Sequence, residues 1–177
     1  MVLFLKKYLR NLALIVLNKI LKIIMILGVP KEIIENETRV AVIPLTVKQF
    51  ISSGFTVIIE SNAGIDSQIS DSDFRDSGAE IVSSASEVFS KSDMILKVNS
   101  PTDEEIQMIK NDSSYISFFQ TMKEIDKVKA LQSKNVTAYS MHLIPRTTLA
   151  QKMDALSSQT NIAGYKAVLI ASCHIEK

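Results

Sequence analysis

The densest group of polar side chains lies within and just before the predicted helix Leu149–Gln159. Gln151, Asp154 and either Ser157 or the serine after it are three or four residues apart, a spacing that places them on one helical face. Arg146 precedes this helix. Such a face, with a cation at its start, could bind a polar ring substituent such as a carboxamide, because amide and hydroxyl groups both donate and accept hydrogen bonds. An ordinary exposed polar face is the alternative.

Two cations lie next to predicted strands. Arg39 falls between the first strand and the first helix, where its guanidinium could hold a carboxylate or phosphate, or could simply be solvated in a loop. Lys97 belongs to the apolar segment Met94–Val98, and a lysine there is costly unless it emerges at the strand end or has a partner. Both are candidates to line a cleft. His142 could act as a general acid or base, but the sequence identifies no partner for it.

Short apolar segments alternate with amphipathic ones after Met25. Continuously apolar strands separated by helices indicate a parallel sheet that is covered on both faces. We therefore predict an α/β fold with a Rossmann-like or flavodoxin-like parallel sheet, whose ligand site lies beyond the carboxyl ends of the strands. The predicted strands are Ile24–Val29, Phe55–Glu60, Glu80–Val82, Met94–Val98, Tyr115–Phe119 and Val136–Ser140. The predicted helices are Leu45–Ser53, Asp71–Ser77, Ser84–Ser90, Asp103–Lys110 and Glu124–Lys134. The last stretch is predicted to form one or two helices, Leu149–Gln159 and Ile162–Ser172.

Capping signals predict where two of these helices begin. Thr102 with Glu105, and Thr121 with Glu124, form the Thr-x-x-Glu pattern of a capping box. The threonine hydroxyl and the glutamate carboxylate would each accept a backbone N–H at the helix start. We therefore expect helices to begin directly after Thr102 and at Glu124.

Composition argues against several classes of site. Among 177 residues, 20 Lys and Arg side chains against 19 Asp and Glu give a net charge of +1, whereas nucleic-acid-binding domains usually carry a clear basic excess. One cysteine and two histidines argue against a disulfide framework and against a metal centre built from Cys or His. The five glycines never occur as Gly-x-Gly, so the sequence lacks the phosphate-binding loop of dinucleotide-binding domains.

Residues 1–23 differ in charge from the rest of the chain, because they contain basic side chains and no acidic one. Their apolar and basic residues fall on opposite sides of a helical wheel, which predicts a basic amphipathic helix ahead of the sheet. The longest charge-free run is too short to span a membrane. Three interpretations stay open: an interfacial anchor, a targeting segment, or translated upstream sequence ahead of a start at Met25.

A set of short motifs runs in order through most of the chain. The motifs are Gly28-Val29-Pro30-Lys31-Glu32, Asn36-Glu37-Thr38-Arg39-Val40-Ala41, Pro44, Gly54-Phe55-Thr56-Val57, Glu60-Ser61, Ala63-Gly64, Gly78-Ala79-Glu80-Ile81-Val82, Ile95-Leu96-Lys97-Val98-Asn99, Asp154-Ala155-Leu156-Ser157-Ser158-Gln159 and Asn161-Ile162-Ala163-Gly164-Tyr165. Together they resemble the opening of the alanine dehydrogenase / nicotinamide nucleotide transhydrogenase family. The resemblance implies that residues 24–171 form the N-terminal domain of that family.

Within the family, the chain resembles transhydrogenase alpha subunits more than alanine dehydrogenases. Its Pro-Arg…Gln…Asp-Ala-Leu-Ser-Ser block is similar to the transhydrogenase element that contacts the nicotinamide end of NAD(H). Gln120 stands where alanine dehydrogenases have a catalytic histidine. The resemblance also implies that Arg39 and Lys97 line the same cleft. The resemblance further implies that four residues orient the carboxamide and ribose of NAD(H): Arg146, Gln151, Asp154 and Ser157.

The resemblance further implies an activity and partners. The transhydrogenases of the family transfer hydride from NADH to NADP+ and couple this to proton translocation, and this chain would supply the nicotinamide-side wall of an incomplete NAD(H) site. The Gly-rich NAD-binding domain, the membrane domain and the NADP(H)-binding component would belong to other domains or subunits. A homodimer is implied, peripheral to the cytoplasmic side of the inner or plasma membrane through its complex, with no nucleic acid and no metal.

Several interpretations of the whole chain stay open. It would be a truncated or split alpha subunit, inactive by itself, or a non-catalytic remnant of that subunit. Residues 172–177 depart from the helical pattern before them, as a frameshift would cause. An alanine dehydrogenase relative is a third interpretation, against which Gln120 argues. A membrane-surface protein anchored by residues 1–23 is the fourth.

Overall fold

The computed structural model of the protein describes residues 25–175, so the predicted basic helix at residues 1–23 lies outside the described part of the chain. Six parallel strands form one sheet in the order β3-β2-β1-β4-β5-β6. The strands are β1 (Ile26–Val29), β2 (Thr56–Glu60), β3 (Glu80–Val82), β4 (Met94–Asn99), β5 (Ser114–Phe118) and β6 (Thr137–Ser140). The predicted parallel α/β sheet is confirmed.

Helices follow the strands, as a parallel sheet requires, because each crossover must return the chain to the other end of the sheet. The described helices are α1 (Pro44–Ser52), α2 (Asp71–Asp76), α3 (Ala85–Lys91), α4 (Asp103–Met108), α5 (Ile125–Ser133) and α6 (Ala155–His174). Single 3-10 turns lie at Ile65–Ser67, Met141–Leu143 and Gln151–Met153. None of the helices within residues 25–175 is both long enough and apolar enough to cross a membrane.

Both faces of the sheet are covered by apolar side chains. Consecutive residues of a strand point to opposite faces, and in β2 Ile58 belongs to one core cluster while Val57 and Ile59 belong to the other. The first cluster receives Phe89 from α3, and the second receives Phe74 from α2. The continuously apolar strands of the sequence therefore reflect burial on two sides.

Three local predictions can be compared with the helix ends. The Thr102 capping box is confirmed, since Thr102 accepts from the backbone N–H of Glu105 and Glu105 accepts in return. The Thr121 capping box is wrong, because Glu124 itself is the N-cap of α5 and makes no side-chain capping bond. Of the one or two helices predicted near the C-terminus, the structure shows one, α6, which begins later than predicted and also includes residues 172–174 of the predicted tail.

The chain changes direction across the sheet between β1 and β4. From β1 it moves outward through β2 to β3, and then returns to place β4 on the other side of β1. Connections leave the carboxyl ends of β1 and β4 in opposite directions, which opens a crevice between them. This topology brings together the loop after β1, the end of β4 and the segment that leads into α6.

Candidate functional site

A cleft of about 370 Å³ lies at the carboxyl ends of the central strands. Its walls are mainly apolar, with Val40 from the loop after β1, Val98 from β4 and Phe118 from β5. Arg39 and Gln159 add polar groups to this lining. Pockets of this size with apolar walls and a few converging polar groups are typical small-molecule sites.

Arg39, a predicted cleft residue, lines this cleft within a polar network. Its Nε and Nη2 atoms donate to the two carboxylate oxygens of Glu37 over 2.7 and 2.6 Å, and its Nη1 donates to Gln159 Oε1 over 3.0 Å. Asn99 donates to the same Glu37 carboxylate over 2.9 Å. The hydrogen bond from Arg39 lowers the pKa of Glu37 to about 2, so Glu37 is ionised at neutral pH.

Lys97 also lines the cleft, but its ammonium group is bonded inside the protein. The Lys97 Nζ donates to both carboxylate oxygens of Glu105 over 2.6 and 2.7 Å, and it lies 3.8 Å from Glu32. All three side chains are buried. Of the two arrangements that the sequence left open for Lys97, the structure shows a partner rather than an exposed strand end.

Two carboxylates that the sequence did not identify as site residues, Glu105 and Glu32, complete this buried group. Glu105 is the third residue of α4, and one of its oxygens also accepts the backbone N–H of Thr102. Glu32 accepts the backbone N–H of Val98 over 2.6 Å. Burial raises the pKa of Glu32, and the charge of Lys97 partly offsets that effect. A signal for Glu105 was present, because a lysine in an apolar strand required an acidic partner.

The predicted common helical face of Gln151, Asp154 and Ser157 is wrong. Gln151 lies in the 3-10 turn Gln151–Met153, and α6 begins only at Ala155 with Asp154 as its N-cap. The Asp154 carboxylate accepts the backbone N–H of Ser157 over 2.9 Å and the Ser157 hydroxyl over 2.6 Å. Aspartate prefers the cap to a helix interior because its side chain satisfies the free N–H groups of the first turn.

Capping favours the ionised form of Asp154. The hydrogen bonds from Ser157, followed by the nearby charge of Arg146, lower the pKa of Asp154. Asp154 therefore remains an anion at neutral pH, with its oxygens turned toward the start of α6. The carboxylate accordingly orients the Ser157 hydroxyl, which can still accept a hydrogen bond from another group.

Arg146 and Ser157 line a second, more open cavity of about 440 Å³ beside α6, together with Tyr165. Gln151 is not among the residues lining either cavity. The structure therefore brings Arg146, Asp154 and Ser157 together at the start of α6, whereas Gln151 is exposed in the preceding turn. Gln159, two residues after Ser157, instead contacts Arg39 in the first cleft.

His142 and Gln120 each contact a neighbouring side chain. His142 packs its ring edge-on against Phe118, with 5.7 Å between the ring centroids. The backbone N–H of Gln120 donates to Glu124 in the turn before α5. Between residues 25 and 175, no group of three or more His, Cys, Asp and Glu side chains is arranged to hold a metal ion.

A parallel sheet with a cleft at the point where strand order reverses defines an α/β domain of the class that binds ligands at the strand ends. Residues 28–163 match the family described as alanine dehydrogenase/PNT, N-terminal domain, and the chain belongs to that family. The family has two branches, the transhydrogenases and the alanine dehydrogenases, and the chain is more similar to the first. The chain is homologous to the N-terminal domain of transhydrogenase alpha subunits, with alanine dehydrogenases as more distant relatives.

Three relatives illustrate this order. NAD(P) transhydrogenase subunit alpha of Haemophilus influenzae is 45% identical over 148 residues, which is 84% of this chain and 28% of that protein. The crystal structure of transhydrogenase from Sinorhizobium meliloti has a TM-score of 0.81 at 36% identity, and the match covers 86% of this chain and 43% of that chain. Alanine dehydrogenase of Methanococcus maripaludis is 33% identical over 153 residues, 86% of this chain and 40% of that protein. The chain thus spans less than half the length of each.

Proposed function

We propose that this chain forms the nicotinamide-side wall of the NAD(H) site in an NAD(P) transhydrogenase. The assembled protein would transfer hydride from NADH to NADP+ and couple the transfer to proton translocation. The observation that carries the proposal is the cleft at the strand ends, where apolar walls are bordered by Arg39 and Gln159. Homology to transhydrogenase alpha subunits supports it.

The chemistry of the cleft suits the nicotinamide end of a dinucleotide. Apolar walls favour a flat ring, and amide or hydroxyl groups can both donate to and accept from a carboxamide. When bound, NADH supplies the hydride, so these side chains need only hold the ring in a reactive orientation. On the family resemblance we assign this role to Ser157 and Gln151, which lie in and just before α6 outside the lining of the cleft, with Arg146 supplying charge and Asp154 orienting the Ser157 hydroxyl.

Two observations favour this function over amino-acid oxidation. Gln120 stands where the resemblance implies a catalytic histidine in alanine dehydrogenases, and an amide cannot accept the proton that such a reaction releases. Both cations of the cleft already have carboxylate partners, because Arg39 is bonded to Glu37 and Lys97 to Glu105. Binding a substrate carboxylate would require breaking one of these pairs.

Other parts of the relatives would complete the site. The sequence has no Gly-x-Gly loop for the pyrophosphate, and the relatives are more than twice as long as the matched region. Apolar side chains of α6 are exposed, including Ile162, Tyr165 and Val168, and we propose that further domains of the complex cover them. We also propose a homodimer that lies at the cytoplasmic side of the membrane through its complex.

Binding of half-nucleotides tests the proposal directly. Reduced nicotinamide mononucleotide, titrated into isotopically labelled protein, should shift the amide NMR signals of Val40, Val98 and Gln159. AMP is the matched control, since it carries the phosphate and ribose without the nicotinamide ring, and it should leave these signals in place. Equal shifts with AMP, or no shifts with millimolar nicotinamide mononucleotide, would contradict the proposed site.

Activity is tested in trans with the NAD-binding and NADP-binding components of a relative. Gln151→Ala would remove one or two proposed hydrogen bonds to the nicotinamide carboxamide, each worth about 1 kcal/mol, and misaligned rings can slow transfer by about a hundredfold. The transfer rate, measured by stopped flow, should therefore fall more than the affinity for NADH. His142→Ala is the control and should change neither. Nucleotide binding without any turnover in this mixture would favour the non-catalytic remnant instead.

A further inference from the structure

Helix α6 is held differently from the helices that precede it. Each of α1–α5 buries at least one side chain in the core, whereas α6 buries none over its 20 residues. The buried anchors of the earlier helices are Val47, Phe74, Phe89, Ile106 and Leu131. Core packing therefore contributes little to the direction in which α6 leaves the sheet.

A chain of hydrogen bonds connects the sheet to α6 instead. Asn99, the last residue of β4, donates to both Glu32 and Glu37. Glu37 holds the guanidinium of Arg39 with two bonds, and the remaining arm of that guanidinium donates to Gln159 Oε1 over 3.0 Å. The residues joined by this last bond are 120 positions apart in the sequence.

We propose that Gln159 is a positioning residue that fixes α6 across the cleft by accepting the hydrogen bond from Arg39. Asn99 donates to Glu37, and Glu37 holds Arg39 with two hydrogen bonds, so the third arm of the guanidinium presents a defined donor to the helix. Ser157 lies half a turn before Gln159, and Asp154 caps the same helix. The contact therefore also sets where these two side chains stand relative to the sheet.

This inference reaches beyond the proposed function and is tested without any nucleotide. One part rests on the proposed function, namely that the position of Ser157 and Asp154 affects how the nicotinamide ring is oriented. If nicotinamide mononucleotide fails to bind while α6 responds to Gln159 as described below, the proposed function is wrong and the positioning role stands. The two failures are therefore distinguishable.

Two substitutions isolate the hydrogen bond from the helix itself. Gln159→Ala removes the acceptor, and because alanine is the strongest helix former, α6 should keep its helical structure. Gln159→Glu keeps an oxygen at the same distance along the side chain and adds a negative charge opposite Arg39, which strengthens the bond. A positioning role predicts that α6 loses its fixed direction in Gln159→Ala and keeps it in Gln159→Glu. A change of helix stability alone does not predict this difference.

The chain provides a natural probe for the direction of α6. Cys173 is the only cysteine in the sequence, is exposed, and lies in the last turn of α6. A second label at Asn111→Cys, in the exposed turn before β5, gives a pair for pulsed electron spin resonance distances. We expect a narrow distance distribution with native Gln159, loss of the narrow distribution in Gln159→Ala, and its return in Gln159→Glu.

Gln132→Ala is the matched control, because it makes the same change on the exposed surface of α5, and it should keep the narrow distribution. The inference is wrong if Gln159→Ala is as narrow as the native protein. It is equally wrong if Gln159→Glu is as broad as Gln159→Ala, or if Gln132→Ala broadens the distribution to the same extent.

Discussion

The ammonium nitrogen of Lys97 lies 2.6 and 2.7 Å from the two carboxylate oxygens of Glu105, and both side chains are buried. Lys97 belongs to β4 and Glu105 to the first turn of α4, so the pair joins the end of a central strand to the helix that follows it. Because a buried charge is tolerated only when it is paired and hydrogen-bonded, neither residue can change alone without cost.

The first prediction concerns this pair. Glu105→Gln should lower the free energy of unfolding by about 3 kcal/mol, because it leaves Lys97 buried without its main counter-ion. Glutamine still suits the third position of a capping box, so the loss would report the charge rather than the cap. Urea denaturation measures this loss in the free energy of unfolding. Glu104→Gln, on the exposed side of the same turn, should change the free energy of unfolding far less, and equal effects would contradict the prediction.

The second prediction concerns acid stability. The hydrogen bond from Arg39 lowers the pKa of Glu37 from 4.5 to about 2. A lowered carboxyl pKa stabilises the fold above pH 4.5, and this contribution is lost as the pH falls toward 2. We expect it to be at most about 2 kcal/mol, since water screens the half-exposed Arg39.

Glu37→Gln removes that contribution. Its deficit in unfolding free energy relative to the native protein should therefore be largest at neutral pH and should shrink as the pH falls from 4.5 to about 2. Urea denaturation across this range gives the comparison, with exposed Glu35→Gln as the control. A deficit that is the same at every pH would show that Glu37 acts through packing rather than through its charge.

The third prediction separates the capping role of Asp154 from its charge. Asp154→Ala should lower the free energy of unfolding and speed hydrogen exchange at the backbone N–H of Ser157, since alanine cannot cap a helix. Asp154→Asn should retain the cap, because asparagine serves as well as aspartate there. Asp126→Ala is the control, in the first turn of α5, where its exposed side chain makes no capping bond. Equal exchange at Ser157 in the Ala and Asn variants would rule out the cap.

The fourth prediction concerns close packing at Gly28 of β1. A Cβ added there would collide with Ser92 Oγ and come within 2.8 Å of Val88, both in the segment that packs on β1. Gly28→Ala should therefore lower the unfolding free energy by about 1–3 kcal/mol. Adding Ser92→Gly should recover part of this loss. Gly164→Ala in exposed α6, where nothing lies within 4 Å, should instead be neutral or stabilise the protein by up to about 1 kcal/mol.

Local sequence signals predicted the fold well because they act over a few residues. Burial on both faces makes each strand continuously apolar, so all six strands were found to within two residues of their observed ends over the described part of the chain. The Thr102 capping box was predictable for the same reason. The Thr121 box failed because Lys123 and Glu124 bond back to the carbonyl of Gln120 and close a separate turn before α5.

The candidate site was predictable only in part. Arg39 and Lys97 were named as cleft residues and both line the cleft, but nothing in their spacing identified the carboxylates that bind them. The three-residue spacing of Gln151, Asp154 and Ser157 implied a shared helical face, and the structure replaced it with a turn and an N-cap. The binding roles of these residues remain predictions.

The sequence alone determined the alternation of buried strands and helices, and the ordered motifs that identify the family. Only the tertiary structure decided which polar and charged side chains pair with each other. Lys97 is paired because folding places α4 against β4, and Arg39 reaches Gln159 because the sheet topology brings residues 120 positions apart into contact. Helical and strand periodicities extend over one element, whereas ion pairs and hydrogen bonds between elements depend on how those elements pack.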